Sequence, residues 1–134
     1  MSKPYYLAGP MTGYPQFNFP AFHAAAARLR ALGYEVISPA EEDAPEVQAE
    51  AMKSPDGKME KDIAGHTWGD ILSKDVKIVS DLVKGIIFLL GWEHSRGARL
   101  EAFVALLCKH EFAEYDENAG AVARPIEWVR ERLL

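Results

Sequence analysis

The chain has 134 residues, 49% of them hydrophobic and 26% charged, which is the size and balance of one folded domain with a core of its own. Its formal net charge of −5 argues against a broad electrostatic surface for a nucleic acid polymer. Cys108 is the single cysteine, which excludes an internal disulfide and a thiolate metal cluster, and no apolar run approaches the roughly 20 residues of a membrane-spanning helix. The start, "MSKPYYLAGP", lacks a signal-peptide layout, so a cytoplasmic protein with no membrane partner is expected. His23, His66, His94 and His110 show no pairing at metal-ligand spacing, and no metal or other cofactor is expected.

In chain order, residues 4 to 9, "PYYLAG", read as a short buried strand closed by Gly9-Pro10. "MTGYPQF" is a loop, and Asn18 is placed to cap a helix with Pro20 in its first turn. Phe22, Ala26, Leu29 and Leu32 form the apolar stripe of that helix, which Gly33 stops. "YEVIS" is a second strand. Residues 40 to 67 carry charge, Pro and Gly, and read as an irregular excursion with a short helix near 45 to 53. A further helix is expected over 68 to 83. "GIIFLLG" is too short for a helix and reads as a fully buried strand. Residues 97 to 109 read as a helix with Leu100, Phe103, Val104 and Leu107 inward and Cys108 as inert packing. "EFAEY" is a candidate fourth strand, and Pro125 opens a last helix.

Strands alternating with helices predict an α/β fold. The expected form is a single-domain, doubly wound (flavodoxin- or Rossmann-like) parallel sheet of four to five strands with helices on both faces. Ligands of such sheets sit beyond the carboxyl ends of the strands, where the strand order reverses. Two loops leave those ends here, "AGPMTG" and "GWEHSRG". If the first and third strands are neighbours, the loops face one another across one crevice.

In "GWEHSRGARLE", Ser95 and Gly97 stand where a helix begins, and exposed N–H groups there favour an anion such as phosphate. Arg96 and Arg99 are either phosphate contacts or surface charges, and His94 is a further donor. Glu101 falls one helical turn beyond Gly97, so it is either a solvated helix residue or a carboxylate aimed at another part of the same ligand. Trp92 either stacks on a base or ribose or roofs the core at the strand end. "GPMTG" alone is a strand-ending turn, neither a P-loop nor a dinucleotide fingerprint.

Together, "YYLAGPMTG", "NFPAFHAAAARLRALGYEVISPAE" and "GWEHSRGARLEA" resemble the nucleoside 2-deoxyribosyltransferase-like superfamily, in its small uncharacterised branch common in phages and prophages. The resemblance covers roughly residues 4 to 41 and 68 to 109. It implies cleavage of the N-glycosidic bond of a (deoxy)nucleoside or its 5′-monophosphate, by hydrolysis or base transfer. By position it implies Glu101 as nucleophile and Tyr6 as the tyrosine that places it. It implies Ser95 and Gly97 at the 5′-phosphate, Gly9, Pro10 and Met11 around sugar and phosphate, and Asp75 assisting the departing base. Asp75 has a rival reading as one exposed acid of the mixed-charge "SKDVKIVSD". The chain also departs from the branch by carrying Lys84-Gly85 where Cys-Asp is frequent. Relatives complete their sites across a dimer, which implies a homodimer or higher homo-oligomer, with Trp128 or Val129 as candidate contacts. The alternative function is a non-catalytic protein that binds or sequesters a nucleotide, and a purely structural module ranks third.

Overall fold

The described residues, 2–58 and 65–134 of a computed structural model, form a five-stranded sheet covered by helices. Strands β1 (Tyr5–Ala8), β2 (Val36–Ile37), β3 (Gly85–Phe88), β4 (Glu111–Asp116) and β5 (Gly120–Arg124) stand in the order β2-β1-β3-β4-β5. The first four pair in parallel. The expectation of an all-parallel sheet is corrected at its edge, where β5 runs antiparallel to β4. The cause is local. Asp116 Oδ1 accepts from the backbone N–H groups of Asn118 and Ala119, both at 2.8 Å, and Gly120 has φ +84°, so the chain turns straight back on itself.

Period-two alternation divides the core between the two faces. Tyr6, Ala8, Ile86, Phe88 and Phe112 face α4 (Trp68–Asp81), α5 (Arg96–Leu107) and α6 (Ile126–Leu133). Leu7, Ile87, Leu89 and Ala113 face α1 (Phe19–Ala31) and α3 (Pro45–Met52). The sheet is therefore doubly wound. The chain leaves β1 toward β2 on one side and returns through β3 on the other, so the order reverses between β1 and β3.

Several local expectations change. Asn18 holds the N-cap position of α1 as expected, but its side chain makes no capping bond; its φ is +62° and its amide donates to the Pro10 carbonyl at 2.9 Å. The 40–67 excursion is more ordered than its composition indicates, with α2 (Pro39–Glu42) following β2 and α3 within the span expected for a short helix. Residues 59–64 of that excursion lie outside the described residues. A reciprocal cap, Asp70 N–H to Thr67 Oγ1 and Thr67 N–H to Asp70 Oδ2, fixes the start of α4.

Helix α5 turns the opposite face inward from the one its large residues suggest. Ala98, Glu101, Ala102 and Ala105 are buried, while Leu100, Phe103 and Leu107 are exposed. Small side chains let the helix lie close on the sheet, and that approach carries Glu101 to the strand ends. Cys108 is exposed, not packed. Val129 is fully buried, which removes it as a contact for another subunit, and Trp128 packs against the core but is only partly buried. No helix of the described residues is long and apolar enough to cross a membrane.

Candidate active site

The reversal point carries a crevice because β1 and β3 are paired in register and their exit loops meet. Tyr5 lies opposite Gly85 and Ala8 opposite Phe88. The loops can cross closely because Gly9 has no side chain: a Cβ there would stand 2.8 Å from Leu89 Cβ. Gly91, at φ +89°, then turns the chain out of β3 toward α5.

At the floor, the Tyr6 hydroxyl donates to Glu101 Oε2 at 2.6 Å in a buried bond. Burial, and next the charge of Asp75, push the Glu101 carboxyl well above its ordinary range, while the Tyr6 hydroxyl pulls it back. Tyr6 is itself pushed far up by burial and then by the Glu101 and Asp75 charges, so it stays a donor. Asp75, at the middle of α4, is 7% exposed and not part of the charged surface. Its Oδ1 has no hydrogen-bond partner among the described residues. Burial first and the neighbouring Asp43 second push its carboxyl up to about 8. Burial thus favours the protonated form of both acids, and the Tyr6 hydroxyl opposes it at both, at Glu101 through the 2.6 Å bond.

These acids line one cavity of about 210 Å³. Its mouth lies where α4 and α5 begin. Ser95 Oγ accepts from the Ala98 N–H at 3.2 Å and so caps α5. The Arg96 guanidinium stands over the Trp68 ring, 5.3 Å from its centre. A Cβ at Gly97 would meet only Leu72, at 3.9 Å, so the glycine leaves room at the helix start. From Gly97 to Glu101 the helix rises about 6 Å. That is comparable to the span from a 5′-phosphate to C1′ of a nucleotide.

The opposite wall is apolar, with Phe17, Phe19, Phe22 and Val47. Phe17 reaches it through an unusual turn in which Gln16, Phe17 and Asn18 have φ of +56°, +52° and +62°. Left-handed backbone costs about 1–2 kcal/mol per residue for ordinary side chains. Here it is held by Gln16 N–H to the Ser54 carbonyl, Gln16 Nε2 to the Met52 carbonyl and Asn18 Nδ2 to the Pro10 carbonyl.

Of the residues singled out in the sequence, Gly9, Met11, Asp75, His94, Ser95, Arg96, Gly97 and Glu101 line this cavity, with Tyr6 beneath Glu101. Three do not. Trp92 is 1% exposed and stacked on Phe88 with ring centres 3.9 Å apart, so it roofs the core and offers no face to a ligand. Pro10 is buried behind the first loop, its carbonyl taken by Asn18. Arg99 also points away, donating to the carbonyls of Glu93, Arg132 and Leu133. Asp43 and Trp68 line the cavity unanticipated. The charged run "EED" hid the first, and the second reads as an ordinary apolar residue at a helix start.

Fold and site together define a doubly wound α/β protein with a carboxylate-floored crevice at its switch point. The chain belongs to the family described as Domain of unknown function (DUF4406), whose model matches residues 3–113. That span includes every residue named above as lining the cavity. No curated protein and no solved structure matches the chain.

Proposed function

We propose that the protein cleaves the N-glycosidic bond of a (deoxy)nucleoside 5′-monophosphate. The observation that carries this reading is the buried 2.6 Å bond from Tyr6 to Glu101, at the floor of a cavity whose mouth is the start of α5. The resemblance of three sequence blocks to the nucleoside 2-deoxyribosyltransferase-like superfamily supports it.

In this mechanism the phosphate sits at Ser95, Arg96 and Gly97, against the positive end of α5. Glu101 Oε attacks C1′ as the C1′–N bond breaks, giving a glycosyl ester of Glu101. Asp75 gives its proton to the departing base. The Asp75 carboxylate then takes a proton from water, whose oxygen attacks C1′ and releases Glu101. A second base in place of water gives transfer. The exposed apolar stripe of Leu100, Phe103 and Leu107 supports a homo-oligomer.

The test is release of free base from a panel of ribo- and deoxyribonucleoside 5′-monophosphates, with Glu101→Gln in parallel. Release by the unaltered protein and none by the variant is expected. Equal release by both would sink the assignment of Glu101. One observation favours a second reading, nucleotide binding without turnover: burial disfavours the ionised form of Glu101 that a nucleophile needs. Thermal stabilisation by a nucleotide with no base released would select that reading.

A further inference from the structure

The cavity lining holds both donors and carboxylates. Trp68, His94, Ser95 and Arg96 come from the starts of α4 and α5, and Thr12 from the first loop. The remaining polar side chains are carboxylates: Glu101, Asp75 and Asp43, the last from the junction between α2 and α3. Glu101 is occupied by Tyr6. Asp75 is 7% exposed with Oδ1 unpartnered. Asp43 uses only its backbone carbonyl, which accepts from Gln48 Nε2 at 2.7 Å; its carboxylate has no hydrogen bond among the described residues. The Lys74 ammonium, on the same helix as Asp75, is directed to the Glu42 carbonyl. The cavity walls are apolar, with the phenylalanines on one side and Ile71 and Leu72 on the other. Such walls suit the two faces of a flat ring, and the Asp43 carboxyl and Asp75 Oδ1 are left for its edge.

Building on the glycosidase reading, we propose that Asp43 and Asp75 together read the edge of the base. They select a nucleobase whose exocyclic amino group neighbours an unprotonated ring nitrogen, as in cytosine and adenine. The Asp43 carboxylate accepts from the amino group. The Asp75 carboxyl group donates to the ring nitrogen, N3 of cytosine or N7 of adenine. That proton makes the base a leaving group: it passes from Asp75 to the ring nitrogen while the C1′–N bond breaks and Glu101 bonds to C1′. Burial and the Asp43 charge both favour the protonated form of Asp75, which supports this division of roles. In uracil and hypoxanthine an oxo group replaces the amino group. It would face the Asp43 carboxylate with two acceptors and no proton between them. A buried site built to accept a hydrogen bond rejects the analogue that lacks the donor.

The test compares matched pairs, CMP with UMP and AMP with IMP, in ribo and deoxy forms. It measures base release by the unaltered protein and binding to Glu101→Gln by calorimetry. Each amino member is expected to exceed its oxo partner by about tenfold or more in kcat/KM and in affinity. Asp43→Asn, whose amide can donate to an oxo group, should shrink or invert that ratio. An oxo base released as well as its amino partner would overturn the proposal and leave the glycosidase reading standing. So would an unchanged ratio in folded Asp43→Asn. Absence of both release and binding for every nucleotide would overturn both. The ratio in the unaltered protein decides the matter even if the variant does not fold.

Discussion

The Tyr6 hydroxyl donates to Glu101 Oε2 across 95 residues of chain, joining the central strand β1 to helix α5 at the floor of the cavity. The bond holds one carboxylate oxygen and leaves the other for the ligand. Tyr6→Phe keeps the ring and removes the tether. Under the proposed mechanism kcat should fall about 10²-fold with KM little changed, as for other preorganised donors. Steady-state kinetics checks this. An unaltered kcat would show that Tyr6 is packing alone.

Asp75 carries a stability cost with a definite sign. Its folded value of about 8 lies above the ordinary 3.8, so the folded state holds its proton more tightly than the unfolded chain. Stability from this group is fully present below the ordinary value and is lost as pH rises toward about 8. Asp75→Asn cannot ionise. Its melting temperature should exceed that of the unaltered protein by a margin that widens from about pH 5 to about pH 9, at about 4 °C per kcal/mol. A margin independent of pH would contradict a buried, proton-holding Asp75. Base release by the unaltered protein should decline through about pH 8 as the same proton is lost.

Arg96 lies at the mouth against Trp68, whereas Arg99 is spent on backbone carbonyls. Arg96→Gln should therefore weaken binding of a nucleoside 5′-monophosphate about tenfold, the loss of one charge-assisted contact. Binding of the unphosphorylated nucleoside should change little. Calorimetry on both ligands separates the two. An equal loss for both would remove Arg96 from the phosphate.

Trp92 is a core residue whose indole Nε1 is buried without an acceptor among the described residues. Trp92→Ala should cost about 3–5 kcal/mol of stability, the usual range for emptying a buried aromatic site. Trp92→Phe should cost much less, since it fills most of the space and deletes the unpaired donor. Ligand affinity of folded Trp92→Phe should match the unaltered protein. A selective loss of affinity would restore Trp92 to the site.

Phe103 is 52% exposed and Leu107 69%, on the outer face of the helix that carries Glu101. If another copy of the chain covers them, Phe103→Glu should shift sedimentation toward the monomer without loss of helical signal. A monomer before and after substitution would end the homo-oligomer proposal.

The order of elements was legible because the buried strands are short apolar runs set between helical periodicities; that β1 and β3 are neighbours was only a condition in the sequence, and the sheet order supplies it. Ser95, Gly97 and Glu101 were singled out by their place at a helix start after a buried strand, but that place left Glu101 open between a solvated residue and a ligand-facing carboxylate, and only the resemblance of the three blocks chose between them. The inward face of α5 was not legible. Leu100, Phe103 and Leu107 have the spacing of a core stripe, and spacing alone does not distinguish a stripe facing the sheet from one left outside. The alanines that do face the sheet carry little hydrophobic weight, yet their small size is what admits the helix. Trp92 was ambiguous for a related reason: a tryptophan at a strand end suits a ligand and a core equally, and Phe88 beneath it decides. Strand β5 escaped notice because "GAVAR" is brief and its partner contacts come from the Asp116 turn, not from its own pattern. Asp43 lay within a charged run whose other members face solvent.

Arg99 joins segments far apart in the chain through its three acceptors. Two of them, the carbonyls of Arg132 and Leu133, end helix α6, and the third, of Glu93, belongs to the loop ahead of α5. One guanidinium thus pins the rim of the crevice to a segment beyond residue 113, where the family match stops. The matched span therefore does not contain every brace of the helix that carries Glu101, and a chain cut at residue 113 would lose two of the three acceptors that hold Arg99.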